Sequence, residues 1–257
     1  MIGIMTSIAL IVCSNVGGDE RTGRVDIGIG QVVLQWEDVM KRGFFISFEG
    51  LDGAGKTTQI SLLEHWLQQH AIDYIRTREP GGTPLGVEIR RLLFQQPELT
   101  ITPLAEAFLF QADRAQHFET LVLPALMAGK VVVSDRCFDS SIAYQGVARG
   151  VGRELVEYLS LLATQGHVPD LTFFLDLDPA LVHLRTDVAR DNSGLREAQS
   201  RFDRESEQFH RQLREAFLAL AETYPLRMKV INAAQTPEQV HAAILSYVFP
   251  MLQKERE

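Results

Sequence analysis

Gly50-Leu51-Asp52-Gly53-Ala54-Gly55-Lys56-Thr57, followed by Thr58, satisfies the spacing G-x-x-x-x-G-K-[ST]. Glycines in such a run let several backbone N–H groups converge on phosphate oxygens, and a helix N-terminus behind them adds partial positive charge. Lys56 would bring a mobile cation to the β- and γ-phosphates, and Thr57 a hydroxyl able to ligate Mg²⁺. The chemistry is binding of ATP or GTP. No Asn-Lys-x-Asp guanine-reading run is present, which disfavours a regulatory GTPase.

Arginines recur where the chain should return to the carboxyl ends of strands: Arg78, Arg90, Arg114 and Arg136. That is the edge at which open α/β sheets bind ligands, and guanidinium forks suit phosphate oxygens. Several of them beside a nucleotide loop would hold a second phosphorylated substrate. Asp135 ends a hydrophobic strand and is the better candidate for holding Mg²⁺; Glu49 is a weaker one and reads as structural.

The elements that must position these groups alternate. Phe44 to Glu49 reads as a buried strand, and a helix with Ile60, Leu63 and Leu67 on one face follows the loop. Asp73 to Thr77 is a second strand and Leu85 to Phe94 a helix. Thr102 as N-cap and Pro103 at N1 open a helical stretch running through Ala128. Lys130 to Asp135 is a β-branched strand, with helices near Ser140 to Gln145 and Arg153 to Thr164, a strand at Leu171 to Asp176 and a helix from Pro179. Asp187 to Ser200 has little apolar content and reads as a mobile loop. A helix carrying Phe209, Leu213, Phe217 and Leu220, a strand Met228 to Asn232, and a helix with Val240, Ile244, Tyr247 and Met251 complete the pattern. The fold class is α/β, a doubly wound parallel sheet of about five strands with helices on both faces.

Composition bounds the partners. The 257 residues carry a net charge of −8, against a broad footprint for nucleic acid or anionic membrane. No apolar run approaches the ~18 residues of a membrane helix. Two cysteines, Cys13 and Cys137, far apart and without metal-ligand spacing, suggest a reducing compartment, with cytoplasm as the default. Residues 1–39 lack a sustained helical or alternating pattern and read as an extension to a 40–257 body. It is either a poorly ordered tail or an over-long start: Trp36-Glu37-Asp38 can be encoded by a purine run resembling a bacterial ribosome-binding sequence just before Met40.

Four ordered motifs then carry a resemblance. Phe48 to Thr58, Thr77-Arg78-Glu79-Pro80-Gly81-Gly82-Thr83, Phe110-Gln111-Ala112-Asp113-Arg114-Ala115-Gln116-His117, and Asp135-Arg136 followed by Ser140-Ser141-Ile142-Ala143-Tyr144-Gln145-Gly146 look like bacterial thymidylate kinases. The likeness covers about residues 41 to 250 and includes Pro169-Asp170-Leu171-Thr172. It implies a P-loop nucleotide-kinase fold with a lid, a cytoplasmic homodimer, and ATP-dependent, Mg²⁺-assisted phosphorylation of thymidine monophosphate in dTTP synthesis. By the same resemblance Phe110 stacks on thymine, Arg114 hydrogen-bonds the base, Ser141 and Gln145 supply polar contacts near it, and Tyr144 crowds the sugar 2′ position. Asp52 accepts from the 3′-hydroxyl, Arg90 and Arg136 clamp the monophosphate, and Pro80 shapes that pocket through a cis bond. Lys56 and Arg136 are catalytic, with the lid at about 187–200 supplying a further cation from Arg190, Arg196 or Arg201. Ser200-Arg201-Phe202-Asp203 and Cys137 depart from the family pattern. The alternatives are a related nucleotide or deoxynucleoside kinase and, outside kinases, a nucleotide-dependent switch protein.

Overall fold

The computed structural model describes residues 24–26, 31–33, 42–96, 98–182 and 205–253. The chain divides into two compact units, Met1–Arg42 and Gly43–Glu257. In the first, β1 (Arg24–Asp26) pairs antiparallel with β2 (Gln31–Val33), where the sequence pattern suggested no regular element.

In the second unit, β3 (Phe45–Glu49) is buried at every residue, as a central strand covered on both faces requires. It is followed by α1 (Lys56–Gln69), β4 (Tyr74–Arg78), α2 (Pro84–Phe94) and α3 (Pro103–His117). Next come α4 (Leu123–Met127), β5 (Val131–Asp135), α5 (Phe138–Ser141), α6 (Arg153–Ala163) and β6 (Leu171–Asp176). Then α7 (Glu207–Thr223), β7 (Met228–Asn232) and α8 (Pro237–Gln253) close the described chain. The sheet is all parallel in the order β4-β5-β3-β6-β7. From β3 the chain leaves to one side for β4 and β5 and returns across it for β6 and β7. The crevice at the strand carboxyl ends is therefore where such a sheet presents ligands.

Alternation along β6 shows how both faces are filled. Phe173 reaches Tyr247 of α8 at 6.3 Å between ring centroids, while Phe174 stacks on Phe217 of α7 at 4.9 Å. Ile60, Leu63 and Leu67 of α1 are fully buried. Burying each such aliphatic side chain contributes about 1.5–3 kcal/mol. Among the described residues no helix is long and apolar enough to cross a membrane.

The structure corrects several sequence expectations. Thr102 occupies the N-cap position of α3 in extended backbone but its side chain makes no cap bond, whereas Thr83 caps α2 by accepting from Gly86 N at 3.0 Å. The single helix expected from Thr102 through Ala128 is broken by a π-helical segment, Phe118–Val122, just before Pro124, which has no N–H to donate. The helix expected near Ser140 to Gln145 is the four-residue α5 followed by a second π-helical segment, Ile142–Ala148. On α8 the third buried position is Val248 rather than Tyr247, which is 41 % exposed.

Candidate active site

The phosphate loop lies between β3 and α1. Gly50 has φ 138°, and a Cβ there would stand 2.8 Å from the Leu175 carbonyl oxygen, so only glycine fits. Gly55, φ 99°, is the N-cap of α1 and brings no side-chain cap. The first-turn N–H groups of α1 are thus left for an anion. Thr57 and Thr58 are exposed at this helix start, as is Gly53 in the loop, while Leu51 and Ala54 are buried and seat the loop on the core. Lys56 is only 7 % exposed; its Nζ donates to the carbonyl oxygens of Gly50 and Leu51 at 3.1 Å each and to Asp52 Oδ1 at 3.4 Å. Burial, then the neighbouring Arg136 charge, lower the Lys56 pKa from its ordinary value.

Parallel pairing sets Phe48 opposite Asp135, so the end of β5 abuts the loop. Arg136 follows directly. Its N–H donates to the Phe48 carbonyl at 2.9 Å and its backbone sits in the left-handed region at φ 70°. A non-glycine residue held there stores about 1–3 kcal/mol of strain, a cost met mostly at functional positions. The guanidinium donates to Asp52 Oδ1 at 2.6 Å and to Ser140 Oγ at 3.0 Å, and stands 5.3 Å from the Tyr144 ring centroid. Glu49 anchors this turn: its Oε1 accepts from Cys137 N at 2.8 Å and its Oε2 from Ser140 Oγ at 2.5 Å. Burial, then the Asp139 charge, push the Glu49 pKa up to about 8. Burial likewise takes Tyr144 up to about 12.

Three of the four sequence-singled arginines gather here. Arg90 Nη1 donates to the Pro80 carbonyl at 3.1 Å, and its guanidinium carbon lies 5.0 Å from the Phe94 ring centroid. Burial, then repulsion from Arg78, depress its pKa, with Arg136 acting in the same sense. The Glu79–Pro80 bond is cis, as the family resemblance implied. Phe110 is half-buried on α3, edge-on to Phe94 at 6.5 Å.

Arg114 departs from that cluster. It is 1 % exposed, donating through Nε to Glu79 Oε2 at 2.9 Å, through Nη1 to Gln111 Oε1 at 2.7 Å, and through Nη2 to Ser141 Oγ at 3.0 Å. A bond from Arg114 to a base must therefore be shared with, or exchanged for, one of these. His117 Nδ1 faces Glu79 Oε1 at 2.9 Å and its Nε2 faces Thr77 Oγ1 at 2.6 Å. Asp113 Oδ1 accepts from Gly81 N at 3.0 Å; burial, then the Glu79 charge, raise its pKa to about 6. Gln145 Nε2 donates to Glu106 Oε1 at 2.9 Å. Glu79, Asp113, His117 and Glu106 were given no role from sequence. A signal existed: residues 106, 110, 113, 114 and 117 share one helical face, so polar groups interrupt the stripe that should be apolar.

For a cation, Asp135 Oδ1 is buried without a hydrogen-bond partner among the described residues, and its charge acts on Lys56 at the start of α1. Among the described residues no group of three His, Cys, Asp or Glu could hold a metal. That donor set fits Mg²⁺, which keeps water and phosphate ligands and takes few from protein. Arg190, Arg196, Arg201 and the expected lid at 187–200 lie outside the described residues.

Comparison with known proteins points to one family. The thymidylate kinase family profile matches residues 48–244. The chain is 49 % identical over 205 residues to the thymidylate kinase of Clavibacter michiganensis subsp. michiganensis, covering 79 % of this chain and 92 % of that one. It is 45 % identical over 207 residues to the thymidylate kinase of Bifidobacterium longum (strain NCC 2705), covering 79 % and 96 %. The crystal structure of thymidylate kinase from Ehrlichia chaffeensis superposes with TM-score 0.65 at 32 % identity, covering 80 % of this chain and 99 % of that one. With a five-stranded parallel sheet, a phosphate loop at its carboxyl edge and these relatives along most of its length, the chain belongs to the thymidylate kinase family and is a kinase.

Proposed function

We propose that this chain transfers the γ-phosphoryl group of ATP to thymidine monophosphate, giving ADP and thymidine diphosphate. The carrying observation is that a phosphate loop and a second cationic group, Arg90 with Arg136, meet at one end of the sheet with an aromatic face, Phe110, nearby on α3. Gly50 to Thr58 hold the donor phosphates, with Lys56 exchanging its carbonyl partners for phosphate oxygen. Arg90 and Arg136 clamp the acceptor phosphate beside Pro80, and Asp52 takes the 3′-hydroxyl. Phe110 stacks on thymine, Arg114, Ser141 and Gln145 meet its polar edge, and buried Tyr144 narrows the 2′ side.

Such transfer needs positioning and charge neutralisation more than covalent chemistry. An acceptor monoester is already anionic, so no general base is required. Thr57 and Asp135 would hold Mg²⁺. When bound, Mg²⁺ neutralises phosphate charge during transfer. Arg190 and Arg196 are assigned a lid cation on sequence grounds. Exposed Leu104 and Phe108 on α3, with Leu155, Tyr158 and Leu162 on the α6 packed beside it, support a homodimer. Buried Cys137, a free thiol, supports a cytoplasmic setting.

The test is product formation from ATP with thymidine, deoxyuridine, deoxycytidine and purine monophosphates and with thymidine itself, with Mg²⁺ and with chelator. Strong preference for thymidine monophosphate and loss with chelator are expected. Another preferred acceptor refutes the substrate, and nucleotide binding without a phosphorylated product refutes the reaction.

A further inference from the structure

We propose that Glu106 is a specificity-determining positioning residue, fixing the Gln145 amide so that its oxygen, rather than its nitrogen, meets the base edge of the acceptor. The inference rests on the proposed function, in which Gln145 lies at that edge.

Glu106 is fully buried on α3, and Gln145 is 1 % exposed in the π-helical segment Ile142–Ala148. The wide turn, with Arg149 N donating to the Tyr144 carbonyl at 2.8 Å, leaves both Tyr144 and Gln145 facing inward. Gln145 Nε2 donates to Glu106 Oε1 at 2.9 Å, and Arg149 Nε stands 3.7 Å from that same carboxylate oxygen. A carboxylate oxygen accepts and does not donate, so the group turned toward it must be the amide nitrogen. The amide is planar, with oxygen and nitrogen on opposite arms, so tethering the nitrogen aims the oxygen elsewhere. Among the described residues that oxygen takes no hydrogen bond. Arg114, two turns from Glu106 along the same helix, donates through Nη2 to Ser141 Oγ at 3.0 Å, four residues before Gln145, and offers only donors.

An accepting amide oxygen and a donating guanidinium, presented together to one base edge, are complementary to N3–H and O4 of a 2,4-dioxopyrimidine. Cytosine places a bare N3 and an amino group at the same positions, so donor meets donor and acceptor meets acceptor. Buried polar groups left unpaired carry a larger penalty than a lost contact in solvent, which makes this edge the discriminating one. Stacking on Phe110 cannot supply that selection, because every pyrimidine offers an aromatic face. Glu106 never touches the acceptor; it decides which end of Gln145 does.

Replacing Glu106 by Gln supplies an amide that either donates or accepts, and so frees Gln145 to turn over. The measurement is the ratio of kcat/KM for thymidine monophosphate to that for deoxycytidine monophosphate, in wild type and E106Q, with KM for ATP as reference. The ratio is expected to fall by about tenfold or more in E106Q, with KM for ATP within about twofold of wild type. A ratio held within about threefold in folded E106Q, or equal losses for both acceptors, overturns the inference. Should thermal melting show that E106Q does not fold, E106D takes its place, since a carboxylate withdrawn by one methylene loosens the tether; an unchanged ratio in folded E106D overturns it equally. The wild-type ratio separates the two claims. A wild type without preference for thymidine monophosphate refutes the proposed function, while a preferring wild type with an insensitive ratio refutes only the role of Glu106.

Discussion

Changing Glu79 to Gln tests the buried pair that organises α3 against the loop after β4. The Glu79 and Arg114 side chains are 2 % and 1 % exposed, with nitrogen and oxygen 2.9 Å apart, and Glu79 also faces His117. The substitution preserves shape but strands the Arg114 cation out of water. Breaking a buried pair from one side costs about 3–5 kcal/mol. For a unit of this size each kcal/mol moves Tm by about 2–4 °C, so E79Q should melt roughly 6–20 °C below wild type. Urea unfolding followed by circular dichroism should show a lower midpoint with unchanged slope. The double variant E79L/R114M removes both charges and should lose much less than the sum of the two single variants. A loss below about 1 kcal/mol, or additive losses in that cycle, would refute the reasoning. The pH dependence has a definite sign. Burial would raise the Glu79 pKa, but Arg114 and His117 outweigh it and hold the carboxyl below its ordinary 4.5. Its stabilisation is therefore fully present above about 4.5 and lost as pH falls through the lower folded value, so the gap to E79Q should close in acid.

Phe110→Ala should raise KM for the acceptor by the loss of about 1–3 kcal/mol of stacking and burial while leaving KM for ATP alone; an unchanged acceptor KM in a folded variant removes the stacking role. Lys56→Ala should lower kcat about 100- to 1,000-fold with every acceptor tested, and near-normal turnover would contradict its phosphate role. Glu49 has its folded pKa raised to about 8, so stability should decline between about pH 4.5 and 8 as the unfolded chain sheds its proton first. Urea midpoints should show that decline flattened in E49Q; identical slopes in both proteins count against it. Introducing arginine at Tyr158 and Leu162, both exposed on α6, should halve the mass measured by light scattering if that face joins two copies.

What sequence alone determined is what local chemistry dictates. The phosphate loop was legible because glycine is required wherever φ is positive and backbone crowds backbone, as at Gly50 against Leu175. Strands Leu171–Asp176 and Met228–Asn232 were legible to the residue, since β-branched and aromatic runs of that length bounded by turns suit a covered parallel sheet. Helical periodicity likewise marked Phe209, Leu213, Phe217 and Leu220 as core. Tertiary structure decided the rest. Only the sheet order brings Asp52 to Arg136, 84 positions apart, and Glu49 to Ser140, 91 apart. Only packing turns Arg114 inward onto Glu79 and sets Glu106 beneath Gln145. The widened π-helical turn at Ile142–Ala148 was equally out of reach, because nothing in Ile142-Ala143-Tyr144-Gln145 distinguishes it from an α-helix until the side chains have a core to face. Buried charges choose partners by what else is excluded from water with them, and that choice exists only once the chain has folded.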